Sequence, residues 1–420
     1  MREMKDSGIA WIGAIPQDWQ LSKIGNLYTQ RNEKVSDKDY QPLSVTMQGI
    51  LPQLATAAKT DDGDNRKLVR VGDFAINSRS DRRGSCGISP LDGSVSLINI
   101  ILTPRTAMHP GYYNWLFHTT LFADEFYKWG HGIVADLWTT RWQEMKSITV
   151  PVPEYAEQER IAAFLDAECA EIDAVLEKTR ASIEEYKKLK QAVITQAVTK
   201  GIRGDRPMKD SGIEWIGEIP AEWSVVPFSK FARVSANLVN PSDYQDYLQV
   251  SPENIEKDSG KLLSCKTVSE VGVESWNHFF HKGQILYSKI RPKLNKVCIA
   301  PFDGLCSADM YPIDTDNISK FVVYTILSND FNQQVAMITE NRVKMPKINQ
   351  KELSKIIVVL PANRMEQQEI VDYLDGECGK IDALIAKKQQ YLTEIENYKK
   401  SLIYEYVTGK KEVKTSVLAD

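Results

Sequence analysis

The chain has 420 residues, 42% of them hydrophobic and 26% charged, with a formal net charge of −4. That length carries two or three domains with their own cores, and the composition is that of an ordinary globular protein. It excludes a uniformly basic nucleic-acid binder, but not a local basic patch, because phosphate responds to the nearby field and not to the sum over the chain. No apolar run approaches the roughly 20 residues of a membrane span, and the opening MREMKDSGIAWIG lacks a secretory core. Six cysteines (Cys86, Cys169, Cys265, Cys298, Cys306, Cys378) form no CxxC pair. Zinc or a disulfide framework is not expected, and a reducing cytoplasm is the expected location.

In chain order the first element is an arm, residues 4–19, MKDSGIAWIGAIPQDW. It recurs at residues 208–223 as MKDSGIEWIGEIPAEW, with 12 of 16 positions identical. An internal repeat of this kind organises everything else. Ser-Gly and Ile-Pro break regular structure while the paired tryptophans offer large surfaces to bury, so the arm reads as an irregular clamped segment that packs a domain to its neighbour.

Residues 20–150 read as a mixed region. Short apolar runs at 68–76 and 94–102 predict strands, and residues 109–129 predict helix; the second-half counterpart of that helix is 317–338. Each half then closes on an apolar strand with proline, ITVPVP at 148–153 and IIVVLP at 356–361. Proline there stops the strand before a long helix.

The helices are the most legible elements. Residues 157–198 contain no Pro or Gly over 42 positions. Apolar or bulky side chains at Ile161, Leu165, Ile172, Val175, Tyr186, Leu189 and Val193 fall at spacings of a coiled coil. At about 1.5 Å per residue this is a rod of roughly 60 Å. Its twin is 366–407, in constant register at 209 residues: Glu157-Gln158 matches Glu366-Gln367, Leu165-Asp166 matches Leu374-Asp375, and Ile172-Asp173 matches Ile381-Asp382. The order is arm, module, rod, arm, module, rod. Antiparallel rods would give a pseudo-twofold, circular arrangement with the chain's end near its beginning.

The modules diverge, but residues 71–93 (VGDFAINSRSDRRGSCGISPLDG) align with 282–304 (KGQILYSKIRPKLNKVCIAPFDG). Each reads as a Gly-containing turn, an apolar strand, a basic Ser-containing loop, a second short strand, then Pro and Asp-Gly. A shared scaffold with changed loop content is how a recognition module varies its specificity. No GxxxxGK[ST] or GxGxxG is present, and no Asn-Pro-Pro-aromatic motif. Asn240-Pro241-Ser242-Asp243 reads as a turn. The histidines show no metal spacing; His278 and His281 read as a half-exposed strand. No catalytic or metal site is expected.

The repeated DSGIxWIGxIPxxW arm, the strand-proline-Glu-Gln start of each rod and the two divergent modules of about 130 to 140 residues resemble the specificity subunit (HsdS) of type I restriction-modification systems. The resemblance covers nearly the whole chain. One departure is the helix start, where PEYAEQE and PANRMEQQE replace the family's Pro-Pro-Leu-x-Glu-Gln. The resemblance implies an α+β fold, with two mixed α/β target-recognition domains separated by two long antiparallel coiled-coil helices. Boundaries follow at 1–152 (arm and first recognition domain), 153–203 (central spacer helix), 204–360 (second arm and domain), 361–412 (C-terminal spacer helix) and 413–420 (tail).

It also implies a non-catalytic DNA-binding subunit in which each domain reads one half of a bipartite, asymmetric double-stranded site. The helices would set the spacing and dock two methyltransferase (HsdM-type) subunits. Those partners would carry S-adenosylmethionine for adenine N6 methylation, and restriction/translocase (HsdR-type) partners would use ATP and Mg²⁺; this chain would hold no cofactor. A type IIB-like specificity subunit and a structural tether with protein-binding modules are the alternatives.

On this reading each module inserts a basic loop into the major groove, where Arg or Lys reaches guanine and Asn or Gln pairs with adenine. The candidates are Arg79, Arg82 and Arg83 in the first module, and Lys289, Arg291, Lys293 and Lys296 in the second. Trp138, Thr140 and Arg141 (LWTTRW) and Arg342, Lys344 and Lys347 (NRVKMPK) occupy matching places before the final strands. Most would touch phosphate and a few a base edge. A further set is Thr46, Met47 and Gln48, with Ser251, Pro252, Glu253 and Asn254.

Overall fold

The computed structural model describes residues 2–55, 62–132, 138–342 and 346–414. The chain divides into two compact units, residues 1–179 with 390–420 and residues 180–389. Each expected spacer segment is therefore shared: one half belongs to each unit.

The long helices run Tyr155–Lys200 and Arg364–Val407. Each is followed closely by a glycine in the left-handed region, Gly201 at φ 76° and Gly409 at φ 71°, where a residue without Cβ turns the chain out of the helix. In the first unit the helix halves pair antiparallel. Phe164 lies 4.4 Å from Tyr406 between ring centroids, and Lys399 Nζ donates to Asp173 at 2.6 Å. In the second unit Lys190 Nζ donates to Asp382 at 2.7 Å and Arg203 to Glu369 at 2.6 Å. The two Lys–Asp pairs are the same pair 209 residues apart.

The buried stripe of the first helix differs from the one read in sequence. Val175 and Leu189 are exposed. Leu165, Cys169, Ile172, Leu176, Thr179 and Ile183 face inward, at spacings of four and three, so Leu176 takes the place assigned to Val175. Long runs hold several near-equivalent stripes, and tertiary packing selects among them.

Each arm folds as a small antiparallel ribbon, Met4–Asp6 with Ala14–Pro16 and Met208–Asp210 with Glu218–Pro220. The closing tryptophan of each, Trp19 or Trp223, is buried. Its indole Nε1 donates to the glutamate at the rod's start, Glu157 at 2.9 Å and Glu366 at 3.0 Å. Arg2 and Arg206 pair with the same glutamates at 2.5 Å and lie over the indoles. The neighbouring glutamine clamps the module: Gln158 accepts from His109 N at 2.8 Å, and Gln367 from Ile318 N at 3.0 Å. The Glu-Gln pair is thus a bracket joining arm, rod and module, because a carboxylate and a carboxamide at one helix start satisfy three donors from the arm and the module.

The modules share one four-stranded sheet. In the first its order is Cys86–Ile88, Phe74–Asn77, Asn99–Pro104, Tyr28–Arg31; in the second it is Val297–Ile299, Ile285–Ser288, Met310–Asp314, Arg233–Val234. Residues 68–76 and 94–102 each hold parts of two strands, the first split by a turn at Gly72, φ 86°. The predicted helical stretches are each two helices, Pro110–Phe117 with Thr120–Lys128 and Ser319–Leu327 with Asn329–Thr339. Thr119 and Ser328 break them by capping the second helix with their hydroxyls. The final strands Thr149–Val152 and Ile357–Leu360 pair with Gln20–Lys23 and Ser224–Pro227. Cys86, Cys169, Cys298, Cys306 and Cys378 are buried, and burial pushes the Cys169 and Cys378 thiols up to about 11. No described helix is long and apolar enough to cross a membrane.

Candidate nucleic-acid interface

The first basic loop leaves the strand Phe74–Asn77 and forms a short turn at Ser80–Arg82. Arg79 bridges antiparallel to Thr139. Ser80 N donates to Trp138 O and Thr140 N to Ser78 O, each at 3.0 Å. Two candidate segments about 60 residues apart in sequence thereby become one strip. The second module repeats the device. Ile290 bridges to Lys347, Arg291 N donates to Pro346 O at 2.8 Å, and Ile348 N to Lys289 O at 2.9 Å. The backbone fixes the register, so the side chains of the strip are free to differ.

The third candidate set joins the same strips. Thr46 and Gly49 flank the tip of a hairpin, Leu43–Thr46 with Gly49–Pro52, where Met47 is 71% exposed. Its Cε lies 4.0 Å from where a Cβ on Gly84 would stand, so the tip adjoins the basic loop. In the second module the turn Pro252–Asn254 is tied to the loop by Lys296, whose Nζ donates to Pro252 O at 2.6 Å.

The candidate side chains divide by what they touch. Arg82, Arg83, Arg141, Arg291, Lys293 and Lys347 are exposed, and Arg79 and Lys289 are partly exposed. Arg83 pairs with Asp124, Arg82 lies 3.7 Å from Asp81, and Lys289 Nζ sits 5.3 Å over the Tyr311 ring. Four candidates are committed to the fold. Thr140 is fully buried with its hydroxyl on Phe126 O, and Trp138 Nε1 donates to Tyr127 O at 2.8 Å. Lys296 is held as described, and Arg342 spans Lys347 O and the Glu352 carboxylate. That guanidinium holds the Glu352 carboxyl below its ordinary range. These four position the strip, since a buried or bridged donor is not available to a ligand. Lys344 lies outside the described residues.

Arg291 and Asn295 both sit at φ 45° around the turn Pro292–Leu294. Left-handed backbone at a residue with a Cβ costs on the order of 1–3 kcal/mol and concentrates at binding loops. His278, read in sequence as half-exposed, is buried on the strand Asn277–Phe280. Burial, and then the charge of Lys289, lower its pKa, so it adds no cation at neutral pH.

A family model described as Type I restriction modification DNA specificity domain matches residues 231–397. The Type I restriction enzyme EcoDI specificity subunit of Escherichia coli is 35% identical over 285 residues, 63% of each chain. The chain is similar to specificity subunits of type I restriction-modification systems over this part of its length. The Type I restriction enzyme MjaVIII specificity subunit of Methanocaldococcus jannaschii is 23% identical over 95% of this chain and 94% of its own. A solved structure titled for complex assembly and conformational transition of the type I R-M system shares the fold. Its TM-score is 0.71 at 14% identity, over 94% of this chain and 99% of that one. The match spans under two thirds of the length of the EcoDI relative. As in the fold expected of such a specificity subunit, two mixed α+β modules accompany the long helices.

Proposed function

We propose that this chain is the specificity subunit, the DNA-recognition component, of a type I restriction-modification complex and carries no reaction centre of its own. Each module reads one half of a bipartite double-stranded site. The paired helices fix the spacing and dock methyltransferase subunits in the cytoplasm. Those partners supply S-adenosylmethionine and the adenine N6 chemistry, and motor subunits supply ATP-driven translocation. The observation that carries this reading is the convergence, in both modules, of a basic loop and a second basic segment through the same backbone bridge. Exposed cations on such a strip neutralise phosphates, while the variable side chains between them meet base edges.

Helix length acts as a ruler in this mechanism. Four residues added to one rod move a module by about 6 Å, near the rise of two base pairs. The test is base-resolution methylation sequencing of a host carrying this subunit with its methyltransferase. Methylation at one split motif is expected; a continuous motif or scattered methylation overturns the proposal. Arg82→Ala with Arg83→Ala should relax one half of the motif and Lys293→Ala the other, each lowering the salt slope of binding by about one for every phosphate left without its cation.

A further inference from the structure

A recess of about 350 Å³ lies along the strip of the first module. Arg79 and Arg141 stand at it from the two segments joined by the bridge, and Ile98 and Trp142 give it apolar walls. Gln30 reaches the same recess from the strand Tyr28–Arg31, the outermost of its sheet. Gln30 is half-buried, and among the described residues its carboxamide has no hydrogen-bond partner. Two neighbouring polar side chains there are held by backbone carbonyls, although the buried Asn99 Oδ1 has no partner among the described residues. Lys67 donates to Asn99 O at 2.7 Å, and Asn99 donates to Ser96 O at 3.0 Å and is buried.

The second module supplies the contrast. Gln30 pairs across the sheet with Leu102, and the residue in the same register, opposite Ile313, is Val234. One module therefore places a free amide where the other places a valine.

We propose that Gln30 is a specificity-determining residue of the first module and reads an adenine. Its Oε1 accepts from adenine N6 and its Nε2 donates to N7, while Arg79 and Arg141 take the flanking phosphates. A free donor and acceptor side by side, in a recess that two cations also line, match that base edge. This rests on the DNA-recognition reading above and deepens it.

The experiment uses the full chain assembled with its methyltransferase, with motifs read by base-resolution sequencing. Gln30→Ala is expected to reduce preference for adenine at one position of the first half-site by at least about tenfold, leaving the second half-site unchanged. Gln30→Glu is expected to shift that position toward cytosine, whose N4 donates to a carboxylate; a residue that only supports the fold would not produce that shift. Arg141→Ala is expected to weaken binding to all sequences alike and flatten its salt dependence. An unchanged motif in both Gln30 variants overturns the assignment, as does a loss of binding by both that is equal for every sequence. Absence of any split motif with the unaltered chain instead overturns the DNA-recognition proposal itself.

Discussion

The two arms are nearly the same peptide in different surroundings. Trp11 is 7% exposed and its counterpart Trp215 is 45% exposed. In the first unit Tyr404 covers the arm, its hydroxyl donating to Ile12 O at 2.8 Å, and Lys410 Nζ donates to the same oxygen at 2.6 Å. The residues 209 positions earlier are Thr195 and Gly201, which bring neither ring nor cation. There a groove of about 1340 Å³ is left, lined by Trp215, Ile216, Thr195 and Thr199 among others. The repeated sequence thus specifies the ribbon and its closing clamp. Burial of the first tryptophan is decided by what the opposing helix carries.

The largest effects should fall on what the arms share. Trp19→Ala and Trp223→Ala each remove a fully buried indole and take a donor from the glutamate at the rod's start. Each should cost about 3–5 kcal/mol in its own unit, read by hydrogen exchange resolved along the chain. A loss confined to one of them would break the equivalence of the clamps.

The difference between the arms is the next test. Trp11→Ala should cost about 3 kcal/mol, and Trp215→Ala under about 1 kcal/mol, by urea denaturation of the full chain. Equal losses would show that the cover from Tyr404 and Lys410 contributes little.

The smallest effect concerns the rods. Gly376 and Gly379 lie in the second helix with open space where a Cβ would stand, and the first helix has Ala167 and Ala170 at those places. Gly376→Ala and Gly379→Ala should each raise stability by about 0.5–1 kcal/mol, seen as a higher melting temperature. No gain would mean that the unfolded-chain entropy of those glycines is offset elsewhere.

Sequence carried the helices, the repeat and the basic loops because these are local signals: a long run without breakers, near-identity of arms, clustered charge. It misplaced the stripe at Val175 and Leu189, since neighbouring positions on a helix compete and only packing chooses between them. It read the glycine turn at Gly72 in the aligned hairpin but still ran one apolar strand across it from 68 to 76, and it saw Glu157-Gln158 as a helix start and not as a bracket. Lys296 and Arg342 looked like free cations, because a carbonyl 44 residues away and a carboxylate ten residues away leave no mark on local composition. Gln30 was equally hidden, a single amide in a short strand whose surroundings are assembled from the loops around residues 79, 98 and 141.

The bridges Arg79 to Thr139 and Ile290 to Lys347 use main-chain atoms alone. If the strips bind as proposed, preference for a new target is acquired by exchanging one residue at a time, without rebuilding the support beneath it. Innovation in what is bound is separated from inheritance of how it is held.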